Sequence, residues 1–489
     1  MSNTVVLSYS YAREQGVILN QTGLCFHPQA SLEAILEMRR LLGENFAPQW
    51  VTEAEFEERL AQQYQTQNSI SQEMVDSLDE HIDLMALTEH VDENADLLDS
   101  DENAPVIRLI NAILSEAIRE SASDIHIETF ERNLIIRFRC DGVLRPILQP
   151  GRKLAPLLIS RIKVMAKLDI AEKRLPQDGR ISLRIGNRNV DVRVSTIPAR
   201  HGERAVLRLL DKNNQHIDLR QMGLPAQDYW QLEKLINKPH GILLVTGPTG
   251  SGKSTTLYGM LSMMEQTARN ILTIEDPVEY DLDGVGQTQV NAKVGMTFAR
   301  GLRAILRQDP DVVMVGEIRD AETAQIAVQA SLTGHLVLST LHTNSASGAV
   351  TRLRDMGIEP FLLSSSLLGV MAQRLVRRLC LFCRQQQELR EDERQVFSTF
   401  ATPVTHIWHA MGCDECRQSG YKGRIALHEL LIIDNDLQQA IYQEQHEHIF
   451  NQKTVSLRTR GLQYVEQGIT SLEEVLRATS ESSADDEVL

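Results

Sequence analysis

The chain changes its hydrophobic period more than once. From Val106 the stretch VIRLINAILSEAIRES places Ile107, Ile110, Ile113, Leu114 and Ala117 on one side of a helix. NLIIRFRCDGVLRPI (133–147) and GRISLRIGNRNVDVRVST (179–196) then alternate with period two, and Gly186-Asn187 reads as a hairpin turn. Helix followed by alternating strands predicts an α+β middle unit. From His240 the pattern shifts to short apolar runs, GILLVTG, NILTIED, DVVMVGE and HLVLST, separated by helical stretches such as TLYGMLSMMEQ and AETAQIAVQAS. Strands alternating with helices in this way predict a largely parallel, helix-covered α/β sheet. No repeat of solenoid period and no low-complexity tract interrupts the chain.

Charge marks the joints. Between Leu60 and Ile107 there is no Lys or Arg, while Glu73, Asp76, Asp79, Glu80, Asp83 and further acids up to Glu102 crowd the interval. VDENADLLDSDENAP from Val91 has the composition of a solvated linker, and a charged helix followed by a loop explains it equally well. A second joint is read at QMGLPAQ (221–227), and SSADDEVL (482–489) reads as a frayed tail. The expected units are 1–100, 105–222 and 223–489, consistent with about three domains for 489 residues. The formal net charge of −16 argues against a general nucleic-acid binder, because phosphate neutralisation needs clustered cations. No run approaches the ~18 apolar residues of a membrane span, and the opening residues lack the form of a signal peptide. The expectation is a cytoplasmic protein that reaches a membrane only through a partner.

GPTGSGKST (247–255) fits Gly-x-x-x-x-Gly-Lys-Ser, preceded by an apolar strand and followed by a helical pattern, the context a phosphate-binding loop requires. Gly247, Gly250 and Gly252 let the backbone curl its N–H groups towards a β-phosphate at the positive end of the next helix, with Pro248, Thr249, Ser251 and Thr255 completing the cradle. Lys253 supplies a charge across the β- and γ-phosphates of ATP, and Ser254 a ligand for Mg²⁺. In DPDVVMVGEIRD (309–320) a strand ends at Glu317, with Gly316 where a Walker B aspartate is usual. TIEDPVEY sets Glu275, Asp276 and Glu279 beyond another strand, at the edge where open α/β sheets bind ligands. A carboxylate there polarises an attacking water; the alternative is that these acids cap helices or line the surface. TGHLVLSTLHTN puts His335 and His342 at the two ends of a strand, where a lone histidine also serves simply as a packed or surface residue.

Four of six cysteines form two Cys-x-x-Cys pairs, Cys380/Cys383 and Cys413/Cys416, within about 378–425. Two such knuckles suit a closed structural Zn²⁺ site, against a redox pair or coincidence. Cys25 and Cys140 read as packing residues.

GPTGSGKSTT, ILTIEDPVEY, LRAILRQDPDVVMVGEIRD and TGHLVLSTLHTN, in that order, resemble the Walker A, Asp, Walker B and His boxes of the bacterial secretion ATPases. SASDIHIE, LPQDGRISLR and DVRVST resemble that family's second N-terminal domain, and the likeness covers about 105–435. It implies a RecA-like P-loop domain after an α+β, PAS-like domain. Gly-Glu is the family's own Walker B ending. The resemblance further implies Glu317 as the Walker B carboxylate, Glu279 as general base and His342 as γ-phosphate sensor. It implies a homohexamer in which arginines of the preceding domain reach the nucleotide. Arg193 and Arg208 are the candidates, with Arg303 and Arg307 near the Walker B strand; the alternative is the wet face of a sheet. Members that secrete or extend fibres carry the four-cysteine zinc insert. LSYSYAREQGVIL (7–19) resembles the opening of type II secretion ATPases. This implies docking of residues 1–100 on the cytoplasmic domain of general secretion pathway protein L, with the polytopic general secretion pathway protein F and an acidic phospholipid surface as further partners. A type IV pilus extension ATPase remains the alternative within the family. A RecA-like nucleic-acid motor or a nucleotide-gated scaffold remains outside it, although with aromatics at 5% no basic-aromatic groove is apparent and no specific nucleic acid is expected.

Overall fold

The computed structural model describes residues 105–185, 188–211, 218–398, 404–445 and 448–480, with scattered positions between 16 and 59. Most of the acidic interval, the Gly186-Asn187 turn and the C-terminal tail lie outside these residues. Two compact units divide the chain at Asp211/Lys212.

In the first unit β1 (Val17–Asn20) and β2 (Gly23–Phe26) pair antiparallel, and β3 (Pro48–Trp50) joins β2 in parallel. Ile18, Cys25, Val51 and Phe56 form their own small core. Helix α1 (Pro105–Arg119) leads to β4 (Asp124–Thr129), β5 (Leu134–Cys140) and β6 (Val143–Leu148); α2 (Leu154–Met165) then precedes β7 (Gln177–Ile185), β8 (Arg188–Ala199) and β9 (Gly202–Asp211). The six strands make one antiparallel sheet in the order β6-β5-β4-β9-β8-β7. Period-two alternation drives it: Leu134, Ile136, Phe138 and Cys140 of β5 and Val190, Val192 and Val194 of β8 point into the core beneath α1 and α2. The buried face of α1 runs through Val106, Leu109, Ile110, Ile113, Leu114 and Ala117, with Ile107 only partly covered.

The opposite face of this sheet carries a row of guanidinium groups. Arg180, Arg193, Arg208, Asp124 and Arg139 are successive cross-strand partners on β7, β8, β9, β4 and β5. Asp124 accepts from Arg208 Nε at 2.9 Å and lies 3.6 Å from Arg139 Nε, while Arg180 pairs with Asp191.

The second unit holds a seven-stranded sheet in the order β12-β11-β13-β14-β10-β15-β18. Its strands are β10 (Gly241–Thr246), β11 (Ile271–Glu275), β12 (Val285–Gln289), β13 (Val312–Val315), β14 (Leu336–Leu341), β15 (Leu367–Leu379) and β18 (Tyr421–Ile432). Every pairing is parallel except β15 with β18. Every residue of β10, β13 and β14 is buried, as continuous apolar runs in a sheet covered on both faces require. The helices used below are α3 (Ala226–Ile236), α4 (Lys253–Met263), α5 (Phe298–Ile305), α6 (Ala321–Leu332) and α7 (Ala346–Asp355). Leu219 and Leu224 belong to this unit's core, so the break falls at 211/212, ahead of the Gly-Pro joint read at 222. The glycine and proline there bend a segment already packed on the sheet. Between β15 and β18 a two-stranded ribbon, β16 (Gln385–Glu388) with β17 (His406–His409), forms the cysteine-bearing insert.

Candidate nucleotide and metal sites

Strand β10 ends at Thr246 and the chain turns through Gly247–Gly252 into α4. The turn needs glycine: Gly247 and Gly252 have φ of 150° and 89°, and a Cβ would come 2.4 Å from Gln373 O at the first and 2.8 Å from Gln373 Nε2 at the second. Gln373, fully buried on β15, clamps the loop, donating to Ser251 O at 2.7 Å and accepting from Thr256 Oγ1 at 2.6 Å. Ser254 and Thr255 open the first turn of α4 and are exposed. The helix end with its free N–H groups is thus held open as an anion site.

Lys253 Nζ donates to Gly247 O at 2.8 Å and Pro248 O at 3.0 Å. Burial pushes its pKa down to about 8, opposed by Glu317 and reinforced by Arg374, which places all three charges in one electrostatic neighbourhood. Arg374 is itself buried and donates to Asn344 O and Oδ1, each at 3.1 Å.

Glu317 stands just past β13 and His342 just past β14, with His342 Nε2 3.5 Å from the Glu317 carboxylate. The same carboxylate pairs with Arg319, whose pKa it raises, with Asp276 adding to the effect. Arg319 thereby lies in the electrostatic reach of both the Walker B end and the Asp box. Gly316 lies close against the Asp-box strand: a Cβ there would be 3.3 Å from Ile274 O and 3.4 Å from Glu275 Cα, a tight fit that a larger residue meets only if that strand gives slightly. Glu279 follows β11 and its backbone N–H donates to Tyr258 Oη at 3.3 Å. His335, at the other end of β14, only closes α6, with Nδ1 2.9 Å from Ala330 O. Arg303 pairs with Glu322 across α5 and α6 at 2.7 Å, and Arg307 donates to Arg303 O at 2.8 Å. Those bonds keep both arginines on the helix surface. Arg193 and Arg208 lie in the guanidinium row of the first unit.

Sequence reasoning overlooked Arg319, Tyr258, Gln373 and Arg374. Gln373-Arg374 carried a usable signal, two long polar side chains inside the apolar run LLGVMAQRLV.

The four cysteines of the insert converge, with all sulfur atoms within 4.8 Å of one another. Sγ–Sγ separations are 3.8 Å for Cys380–Cys413, 3.8 Å for Cys383–Cys416 and 3.7 Å for Cys413–Cys416. A tetrahedron with Zn–S bonds of ~2.3 Å has edges of about 3.8 Å, so the residues fit the ion. Backbone N–H groups of Gly412, Cys413 and Gly420 point at the sulfurs from 3.3, 3.2 and 3.1 Å. Burial opposes the Cys416 thiolate, but the N–H groups of Cys413 and Gly420 outweigh it and bring the thiol down to about 6.

A model of the Type II/IV secretion system protein family matches residues 99–477. The chain belongs to that family. A second model, for a domain of GSPII protein E, matches residues 6–64 and favours the type II reading over the pilus reading. The chain is 59% identical over 483 residues to type II secretion system protein E of Aeromonas hydrophila, covering 97% of this chain and 96% of the relative. It is 57% identical over 487 residues to type II secretion system ATPase E of Vibrio cholerae, covering 97% of each. The pilus retraction motor PilT with bound ADP superposes with a TM-score of 0.51 at 28% identity, covering 75% of this chain and 95% of that one. The ATPase DotB of Legionella pneumophila shares the fold, with a TM-score of 0.57 at 24% identity over 76% of this chain and 96% of its own. With membership goes the activity, ATP hydrolysis coupled to protein secretion.

Two measurements test these sites. Because an anion favours the Lys253 ammonium, binding ADP restores a proton that the free side chain loses above pH of about 8. Calorimetry in buffers of different ionisation enthalpy is expected to show proton uptake per ADP rising towards about one between pH ~7 and ~9, and none in Lys253→Arg. Uptake independent of pH contradicts the assignment. Elemental analysis is expected to find about one zinc per chain, lost in Cys416→Ser with destabilisation of the insert. A zinc-free, folded wild type contradicts it.

Proposed function

We propose that this secretion ATPase works as a homohexamer at the cytoplasmic side of the inner membrane, converting ATP hydrolysis into insertion of pilin-like subunits of a pseudopilus for protein export across the outer membrane. The observation that carries the proposal is the alignment of β10, β14 and β13, which brings the loop of Lys253, His342 and Glu317 to one edge of the sheet. The loop N–H groups and Lys253 bind the β- and γ-phosphates. Ser254 and Glu317 would hold Mg²⁺, which when bound would neutralise charge on the phosphates. Glu279 accepts the proton of the attacking water, and His342 senses the γ-phosphate. Arg193 and Arg208 reach the nucleotide as the domains move, and Arg303 and Arg307 contribute within the ring. A guanidinium so used stabilises charge building on the γ-phosphoryl group and couples turnover to domain position. The row on the first unit's sheet supports this, since Arg139 and Arg208 converge on a single acid, Asp124. Residues 1–100 dock on the cytoplasmic domain of general secretion pathway protein L, with protein F and acidic phospholipid as the further surroundings, a reading supported by the match of the GSPII protein E domain at 6–64. Zn²⁺ on the four cysteines is structural.

The test is ATP turnover by the full chain with the cytoplasmic domain of protein L and acidic vesicles. Glu317→Gln is expected to lower turnover by about a hundredfold or more while nucleotide affinity changes little, the pattern of a lost transition-state interaction. Deletion of 1–100 is expected to abolish stimulation. Turnover untouched by Glu317→Gln, or stimulated by single-stranded DNA alone, overturns the proposal.

A further inference from the structure

Within and around the Asp box lies a buried polar cluster to which the roles of the four boxes assign no part. Tyr258 sits on α4, five residues after Lys253, and is 1% exposed; Glu275, the last residue of β11, is 4% exposed. The Tyr258 hydroxyl donates to Glu275 Oε2. The other carboxylate oxygen accepts from Thr273 Oγ1 at 2.6 Å and from Gln287 Nε2 at 3.1 Å. The same hydroxyl accepts from Glu279 N at 3.3 Å and lies 3.4 Å from Gln287 Nε2. One donated and one accepted bond hold the phenol, with the Gln287 amide, whose two N–H groups serve Glu275 and Tyr280 O, packed beside it. Burial and the Glu275 carboxylate raise the Tyr258 pKa far above its ordinary value, so the donor is permanent.

The loop carrying Glu279 is pinned around that residue. Its own N–H is held by Tyr258, the next carbonyl, Tyr280 O, accepts from Gln287 Nε2 at 3.2 Å, and Leu282 N donates to Gln287 Oε1 at 2.7 Å. The Tyr280 ring stands edge-on to Tyr258 with centroids 4.6 Å apart. Backbone freedom at Glu279 is thereby removed. Tyr258 belongs to the helix whose first turn contains Lys253 and Ser254, so a single phenol joins the phosphate-binding helix to the loop of the water-activating acid.

We propose that Tyr258, anchored by Glu275 and Gln287, is a positioning residue that fixes the Glu279 loop against the phosphate-binding helix. A base must lie within ~3 Å of the proton it takes, and displacement of about 1 Å costs on the order of a hundredfold. Tyr258 acts through Glu279, whose N–H it holds, and the inference rests on the reading of Glu279 as the base.

The test is a cycle of single-turnover ATP hydrolysis rates on the intact chain for wild type, Tyr258→Phe, Glu279→Ala and the double variant, with KM for ATP measured alongside. Tyr258→Phe is expected to lower kcat by about 10- to 100-fold with KM within about twofold, the signature of lost transition-state rather than ground-state binding. Glu279→Ala is expected to lose about a hundredfold or more. In the Glu279→Ala background the added Tyr258→Phe is expected to change the rate by less than about threefold, since the group it positions is gone. Losses that multiply mean Tyr258 does not act through Glu279 and overturn the proposal, as does a raised KM with unchanged kcat. Should Glu279→Ala alone keep the wild-type rate, the reading of Glu279 fails and the proposal with it, an outcome distinct from multiplying losses. If Tyr258→Phe fails to fold, Glu275→Gln, which keeps the shape and weakens the anchor, is expected to give the same non-additivity.

Discussion

The register of β10 between β14 and β15 is the constraint on which the site depends. Thr246 pairs with Leu341 on one side and with Ala372 on the other. That alignment brings the phosphate loop, the residues after β14 and the Gln373 side chain to the same edge of the sheet. Gln373 then satisfies Ser251 O and Thr256 Oγ1 from a fully buried position, where an unmade hydrogen bond costs about 1–3 kcal/mol. A one-residue slip of β15 turns Gln373 to the other face and releases the loop. The parallel pairing of β13 with β14 carries the same alignment one strand further, delivering Glu317 beside His342.

The phosphate loop was legible because its chemistry is local: three glycines, a lysine and a serine on either side of a strand end define it without reference to the rest of the chain. The fully buried strands were equally plain as apolar runs. Pairing partners were not. Arg319 stands two residues from Glu317 in GEIRD, yet its tie to both Glu317 and Asp276 depends on β11 and β13 lying side by side. Tyr258 read as one apolar position among several in TLYGML, because nothing in a helical period tells a phenol that packs from a phenol that donates to a glutamate on another strand. The helix face from Val106 to Ala117 was misread by one position, because Ile107 and Leu109 are equally apolar and only packing chooses between them. Gly316 shows the reverse case, an apparent defect in a motif that sits where a neighbouring strand passes close by.

The cysteine insert is tied to the same framework. Strand β15 passes from Gln373 at the loop to Cys380 at the metal site, and β18 returns from beside Cys416 along β15. Near the insert, Arg377 pairs with Glu474 and stacks over Tyr421, and Arg384 donates to Gly468 O and stacks over Trp408. An ion held by the four cysteines at the far end of this two-stranded arm would stiffen the arm without taking part in chemistry at its base.

The central claim is that the loop and the strand ends form one nucleotide site. The measurement closest to it is a structure of the intact chain with Mg²⁺ and a non-hydrolysable ATP analogue. Lys253 Nζ is expected to leave Gly247 O and Pro248 O for the β- and γ-phosphates, Ser254 to ligate the ion, and Glu317 to face it through water. An analogue seated away from that edge, or Lys253 still bonded to its own loop beside the bound nucleotide, contradicts it.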